Sequence, residues 1–303
     1  MVALPVSTLR EVFGERLQEH VSLAPYTSAR IGGPADALVT VSSADELADA
    51  VSRLWQLDIP YLVLGGGSNV LVSDKGVRGV VVLNKAKEIV FDKGDRPKVR
   101  AEAGAVFANL ARRTALHGLS GLEWAAAVPG TVGGAVYGNA GAFGGDMAGS
   151  LIQAGLLTAN GREIWPVDKM EYAYRSSVLK RGGHTAVVLW ADLRLAHSTK
   201  EAVSAKISEF SARRKETQPP GASMGSMFKN PPGDYAGRLL EAAGLKGTRI
   251  GDAEISPVHA NFFINHGQTK AEDVRALAHL AREKVAEEFG VELELEIEFV
   301  GEW

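Results

Sequence analysis

The chain of 303 residues contains no cysteine. That single absence excludes disulfides, thiolate nucleophiles, thiolate-bound zinc and iron–sulfur clusters together. Its seven histidines, at 20, 117, 184, 197, 259, 266 and 279, include no pair three or four residues apart. Two ligands on one helix face need that spacing, so no metal site is expected. There is no run of eighteen apolar residues, and nothing is expected to span a bilayer. The stretch MVALPVSTLREVFGERL lacks the basic, apolar and small-residue segments of a secretory signal, which makes the cytoplasm the expected compartment. A net charge of −3 supplies no field for nucleic acid or an anionic membrane surface. The dinucleotide fingerprints G-x-G-x-x-G and G-x-x-x-x-G-K-[ST] are missing too. Redox chemistry here would need an organic cofactor held by some other device.

What the chain has in quantity is glycine, 34 residues, concentrated at two places. The first lies in a strand–helix–strand pattern. A helix is expected from Ser7 to Gln18, with Thr8 and Glu11 as capping box. A strand over 37–41 follows, then an amphipathic helix over 43–55 capped by Ser43 and Glu46. After Pro60, YLVL runs into Gly65-Gly66-Gly67-Ser68-Asn69. That is a βαβ unit ending in a ligand-facing loop. Glycines without Cβ atoms can bring backbone N–H groups against an anion, but a tight turn needing positive φ fits the same five residues equally well.

The second concentration is PGTVGGAVYGNAGAFGG, residues 129–145. It is too rich in glycine for a stable helix, at about 1 kcal/mol per internal glycine, and too apolar for an exposed loop. Strands are expected around it at 79–84, 88–91, 98–105, 154–159 and 186–195, with a helix over 107–118 closed by Gly118. Further on, residues 269–290 form the clearest helical pattern, with Thr269 and Glu272 as capping box and Gly290 as stop. The end, VELELEIEFVGEW, alternates apolar residues with Glu292, Glu294, Glu296 and Glu298, a strand with one solvated face. Two separate glycine loops suggest two walls around one long, flat, phosphate-bearing ligand such as FAD.

Taken together, RIGGPA (30–35), GGGSN, Gly121-Leu122-Glu123 with PGTVGGA and NAGA, YRSS (174–177), GSMFKNP (225–231) and AGLKGTRIGDAEISPVHANFFIN resemble the UDP-N-acetylenolpyruvoylglucosamine reductase family, in the family's order. The resemblance implies an α+β flavoprotein of three domains. A FAD-binding fold of the vanillyl-alcohol-oxidase (PCMH) type would occupy 1–80 and 81–197, and a substrate-binding α+β domain 198–303, whose last strand returns to the first. It implies non-covalent FAD, since there is no cysteine and neither loop carries a histidine. It further implies NADPH as reductant and UDP-N-acetylglucosamine enolpyruvate as substrate, in peptidoglycan precursor synthesis. No metal, nucleic acid or membrane is involved, and a monomer is expected.

By the same resemblance Arg175 and Glu296 stabilise an enolate and Ser226 delivers a proton. FAD would contact Gly65, Gly66, Gly67, Ser68, Asn69, Pro129, Gly130, Thr131, Val132, Gly133, Gly134, Ala135, Asn139 and Gly141. Substrate would contact Asn230, Lys229, Arg214 and Tyr174. The cluster Arg213-Arg214-Lys215 reads equally as a diphosphate clamp or a solvated helix face. Leu295, Ala127 and Gly138 depart from the family's usual Pro, Gly and Met, and the short segment after Arg175 resembles its compact subgroup. Gly221-Ala222-Ser223-Met224-Gly225 matches the G-x-S-x-G hydrolase elbow, but its flanks can form neither the strand nor the helix that elbow requires.

Overall fold

The computed structural model describes residues 4–303. Contacts group the chain into two compact units, each assembled from three stretches rather than one. One comprises the chain up to Leu17, Leu38–Gly66 and Val81–Arg214. The other comprises Gln18–Ala37, Gly67–Val80 and Lys215–Trp303.

The first unit is built on a five-stranded antiparallel sheet in the order Gly161–Pro166, Leu151–Thr158, Ala186–Arg194, Lys98–Glu102, Ile89–Asp92. Phe107, Leu110, Leu122, Trp124, Val132, Val136 and Met147 belong to its buried core. The helices Phe107–Leu116 and Val132–Gly138 contribute to that core. Trp190 covers Gly155, where a Cβ would fall 2.2 Å from the indole, and the Arg100 guanidinium lies 3.7 Å over the Trp190 ring. Arg100 also donates two hydrogen bonds to Asp192, at 2.7 and 2.8 Å. Burial alone would raise Asp192, yet the bonds from Arg100 and Gln153 outweigh it and hold the carboxyl below its ordinary range.

The second unit packs the long helix Ala271–Phe289 on a three-stranded antiparallel sheet, Arg249–Ile250, Ala253–Ile255 and Phe263–Asn265. Val274, Leu277, Ala281 and Val285 face the core at helical spacing. Phe289, which shares their period, is exposed instead and lies under Arg238.

Several sequence expectations give way to the structure. The first helix is Val6–Phe13, not Ser7–Gln18; Gly14 turns it at φ +57° and Leu17–Ser22 continues as a strand. The glycine-rich stretch does hold a helix, Val132–Gly138, because Gly133 lets it press on Ala103, where a Cβ would come within 2.8 Å. The helix starting at Ala271 is capped from a distance by Asp74, which accepts from the amides of Ala271 and Glu272 at 2.9 and 3.0 Å. Thr269 does not cap it. The closing strand is only Glu298–Val300, paired parallel with Val70–Val72. Before it, residues 294–296 pair with 227–229, so the chain changes partner at a bend at Glu296–Ile297.

Candidate active site

In the first unit the two glycine segments meet backbone to backbone. A Cβ on Gly65 would lie 2.3 Å from Thr131 Oγ1, and one on Gly66 would lie 3.0 Å from the Gly130 Cα. Only residues without side chains permit that approach. The amides of Val132 and Gly133 donate to the carbonyls of Ala105 (2.9 Å) and Ala103 (2.8 Å). These two therefore fix the loop's shape, and their N–H groups are already engaged. Pro129, Gly66 and Gly134 are exposed. A Cβ at Gly138 would meet nothing within 4 Å. The result is a glycine-lined main-chain surface, exposed at Gly66, Pro129 and Gly134, on which a flat, phosphate-bearing group such as FAD could lie close to the backbone.

The far end of the glycine helix is joined to the Arg175 loop. Asn139, left-handed at φ +47°, donates to Ala173 O (2.9 Å) and accepts from Ala148 N (3.0 Å). Tyr172 donates to Val136 O at 2.8 Å and Ser177 to Tyr137 O at 2.6 Å. Burial pushes the ionisation of the Tyr172 hydroxyl well up, so it stays a donor. A Cβ at Gly141 would lie 3.3 Å from the Arg175 guanidinium. Tyr174, 55% exposed, sits with the same guanidinium 5.6 Å from its ring. Phe143 stacks on Phe210 at 4.6 Å, and Arg213 lies 5.9 Å over Phe143. Arg214 is half-buried, with its pKa lowered by burial.

In the second unit the remaining residues converge. The segment Ser226–Lys229 is held on one side by Asn261–Phe262, through Met227 N–H to Asn261 O (2.8 Å) and the Ser226–Phe262 bridge. On the other side Glu296 N–H donates to Met227 O (2.9 Å) and Lys229 N–H to Glu294 O (2.9 Å). Asn69 closes the group by donating to Glu296 O at 3.1 Å, while its own carbonyl accepts from Glu298 N–H at 3.0 Å. A Cβ on Gly225 would lie 4.0 Å from the Ser68 carbonyl oxygen. Ser68, Asn69, Ser226 and Glu296 thus share one neighbourhood, which places the polar end of the first glycine loop beside the proposed proton donor.

Lys229 pairs with Glu294 at 3.0 Å. The Asn230 Oδ1 accepts from Ala236 N–H at 3.1 Å. Sequence patterns assign no role to Asn261, which is 3% exposed. Its side chain accepts from Phe228 N–H (2.9 Å) and donates to Phe228 O (2.8 Å). Its place inside HANFF was the available signal. The G-x-S-x-G segment lies between the Lys200–Thr217 helix and isolated bridges, with no strand before it or helix after it.

A glycine-lined backbone cradle on this α+β architecture fits the class of FAD-binding oxidoreductases. Residues 35–165 match the FAD binding domain family, and residues 216–300 match the C-terminal domain of UDP-N-acetylenolpyruvoylglucosamine reductase. The chain is 44% identical over 298 residues to that reductase of Chloroflexus aggregans, covering 96% of this chain and 100% of the relative. It is 46% identical over 282 residues to that of Rubrobacter xylanophilus, covering 92% and 94%. The crystal structure of the Thermus caldophilus reductase superposes with a TM-score of 0.78 at 38% identity, covering 94% and 99%. The chain belongs to the UDP-N-acetylenolpyruvoylglucosamine reductase family.

Proposed function

We propose that this protein reduces UDP-N-acetylglucosamine enolpyruvate to UDP-N-acetylmuramate with NADPH, as a cytoplasmic monomer. FAD, when bound, supplies the two-electron carriage between the nucleotide and the substrate double bond. Gly65, Gly66, Gly67, Gly130, Thr131 and Gly134 would hold it by main-chain shape, and Ser68 and Asn69 would add polar contacts. Val132, Gly133, Ala135, Asn139, Gly141 and the exposed Pro129 complete its wall.

The chain's own contribution is electrostatic and protonic. As the substrate's β-carbon gains hydride, negative charge builds on the conjugated carboxylate. Arg175 supplies a fixed positive charge for it, and Glu296 meets the same charge as a hydrogen-bonding partner. Ser226 delivers the proton to the α-carbon. Asn230 faces the uridine, and Lys229, Tyr174 and Arg214 line the path of the diphosphate sugar. The observation that carries this reading is the hydrogen-bonded pairing of the Ser226 and Glu296 segments, with Asn69 bonded to Glu296.

The test is a two-stage anaerobic assay. The purified protein is expected to be yellow, to bleach with NADPH, and to regain colour only on addition of UDP-N-acetylglucosamine enolpyruvate. Ser226→Ala is expected to bleach normally and to reoxidise roughly 10²- to 10⁴-fold more slowly. Equal losses in both stages would remove Ser226 from the proton step. Colour restored by a free sugar or alcohol would point to a different oxidoreductase on the same fold.

A further inference from the structure

Ala173 and Ser176 exchange both backbone hydrogen bonds, each at 3.0 Å, so Tyr174 and Arg175 form the tip of a two-residue turn. Arg175 has φ +53°, and Tyr174 is not left-handed. A turn with positive φ only at its second central residue normally places glycine there. This chain places an arginine, in a conformation that side chains rarely adopt. Strain held at one residue persists only where its surroundings over-determine it.

Those surroundings are specific. Three side-chain bonds flank the turn and all end on the glycine helix or its cap. The Tyr172 hydroxyl donates to Val136 O, the Ser177 hydroxyl to Tyr137 O, and the Asn139 amide to Ala173 O. Val136 and Tyr137 lie in the last turn of that helix, whose carbonyls lack partners within it. Ser177 is fully buried and also accepts from Lys180 N–H at 3.2 Å. The residues before and after Arg175 are therefore fastened to the element that presents the flavin-binding glycines.

We infer that Ser177, with Tyr172, is a positioning residue: the two hydroxyls latch the Arg175 turn onto the glycine helix and hold the arginine in its left-handed conformation. The inference rests on the role given to Arg175 above. It adds that the placement of the substrate's cationic partner is set by the flavin-binding helix itself, so an error at either hydroxyl reaches the carboxylate.

The experiment compares Ser177→Ala, Tyr172→Phe, Arg175→Ala and the Ser177→Ala/Arg175→Ala double variant, each loaded with FAD, in stopped flow. Ser177→Ala is expected to keep the flavin spectrum and the rate of reduction by NADPH, and to slow reoxidation by substrate about 10- to 100-fold. The double variant is expected to reoxidise no more slowly than Arg175→Ala alone. Without flavin, limited trypsin digestion is expected to cut after Arg175 at least roughly tenfold faster in Ser177→Ala, the released turn reaching the protease. If Ser177→Ala fails to fold, Tyr172→Phe carries the same comparison with a smaller effect. An equal loss in both half-reactions, or the same Ser177 penalty in the Arg175→Ala background, overturns the inference. Parent-rate reoxidation by Arg175→Ala defeats the role of Arg175 itself, and the inference with it.

Discussion

At the scale of single residues, this protein places unusual backbone where chemistry is proposed. Arg175 occupies a glycine position of a turn. Arg175→Gly should therefore cost no stability in a urea titration, while reoxidation of the flavin by substrate falls by roughly 10²-fold or more. Gly67 shows the opposite case. It has φ +57°, and a Cβ there would lie 2.3 Å from Tyr26 O. Gly67→Ala should lose about 2 kcal/mol or more from backbone strain and overpacking, read as a lower urea midpoint, and should purify with less flavin per chain. Glu296 is the residue the sequence could not single out. Four glutamates alternate alike, and the bend at Glu296–Ile297, with main-chain bonds to Asn69 and Met227, sets its backbone apart from that of Glu292 and Glu294, which are exposed.

At the scale of elements, distant segments complete one another. The Ala271–Phe289 helix takes its cap from Asp74, almost two hundred residues away, through both carboxylate oxygens. Asp74→Ala should cost about 1–2 kcal/mol of unfolding free energy, the range of a lost helix cap. Asn261 ties the segment carrying Ser226 to its neighbour by two buried bonds to one residue. Its truncation to alanine leaves both Phe228 backbone groups unsatisfied, an expected loss of about 2–4 kcal/mol, measured the same way.

Two helices escape the sequence patterns, each for its own reason. The Lys200–Thr217 helix buries only Val203 and Ile207, so no apolar stripe announces it. The Val132–Gly138 helix defies its glycine content because its backbone rests directly on Ala103. Helices with strong stripes and clear stops, over 44–56 and 271–289, were legible within a residue or two.

At the scale of the whole molecule, stability should depend on pH through His259. Burial is the main cause that lowers its pKa and outweighs the opposing hydrogen bond to its own backbone; Lys246 acts with burial and Glu241 against it. Its Nδ1 accepts from Asn261 N–H at 3.2 Å, a bond that needs a bare nitrogen there. The folded chain therefore binds fewer protons at this site than the unfolded chain, whose histidine titrates near 6.5. Stability from this group is complete above that value and is lost as pH falls through about 6.5. Urea midpoints between roughly pH 5.5 and 8 should trace that decline, and His259→Gln should flatten it. A constant midpoint in the parent protein would contradict the neutral, bonded histidine.

By itself the sequence determined composition-level exclusions, the α+β class, the best-striped helices and the family motifs. Those are properties of local pattern and residue type, and they survive without knowledge of neighbours. Tertiary structure decided which glycines face one another, which glutamate leaves the row, and what caps the long helix. Gly65 and Gly66 meet Gly130 and Thr131, and Asn69 meets Glu296, across separations of sixty to more than two hundred residues. Close approach and hydrogen bonding act over a few ångströms of space, so distance along the chain carries no record of them until the chain has folded.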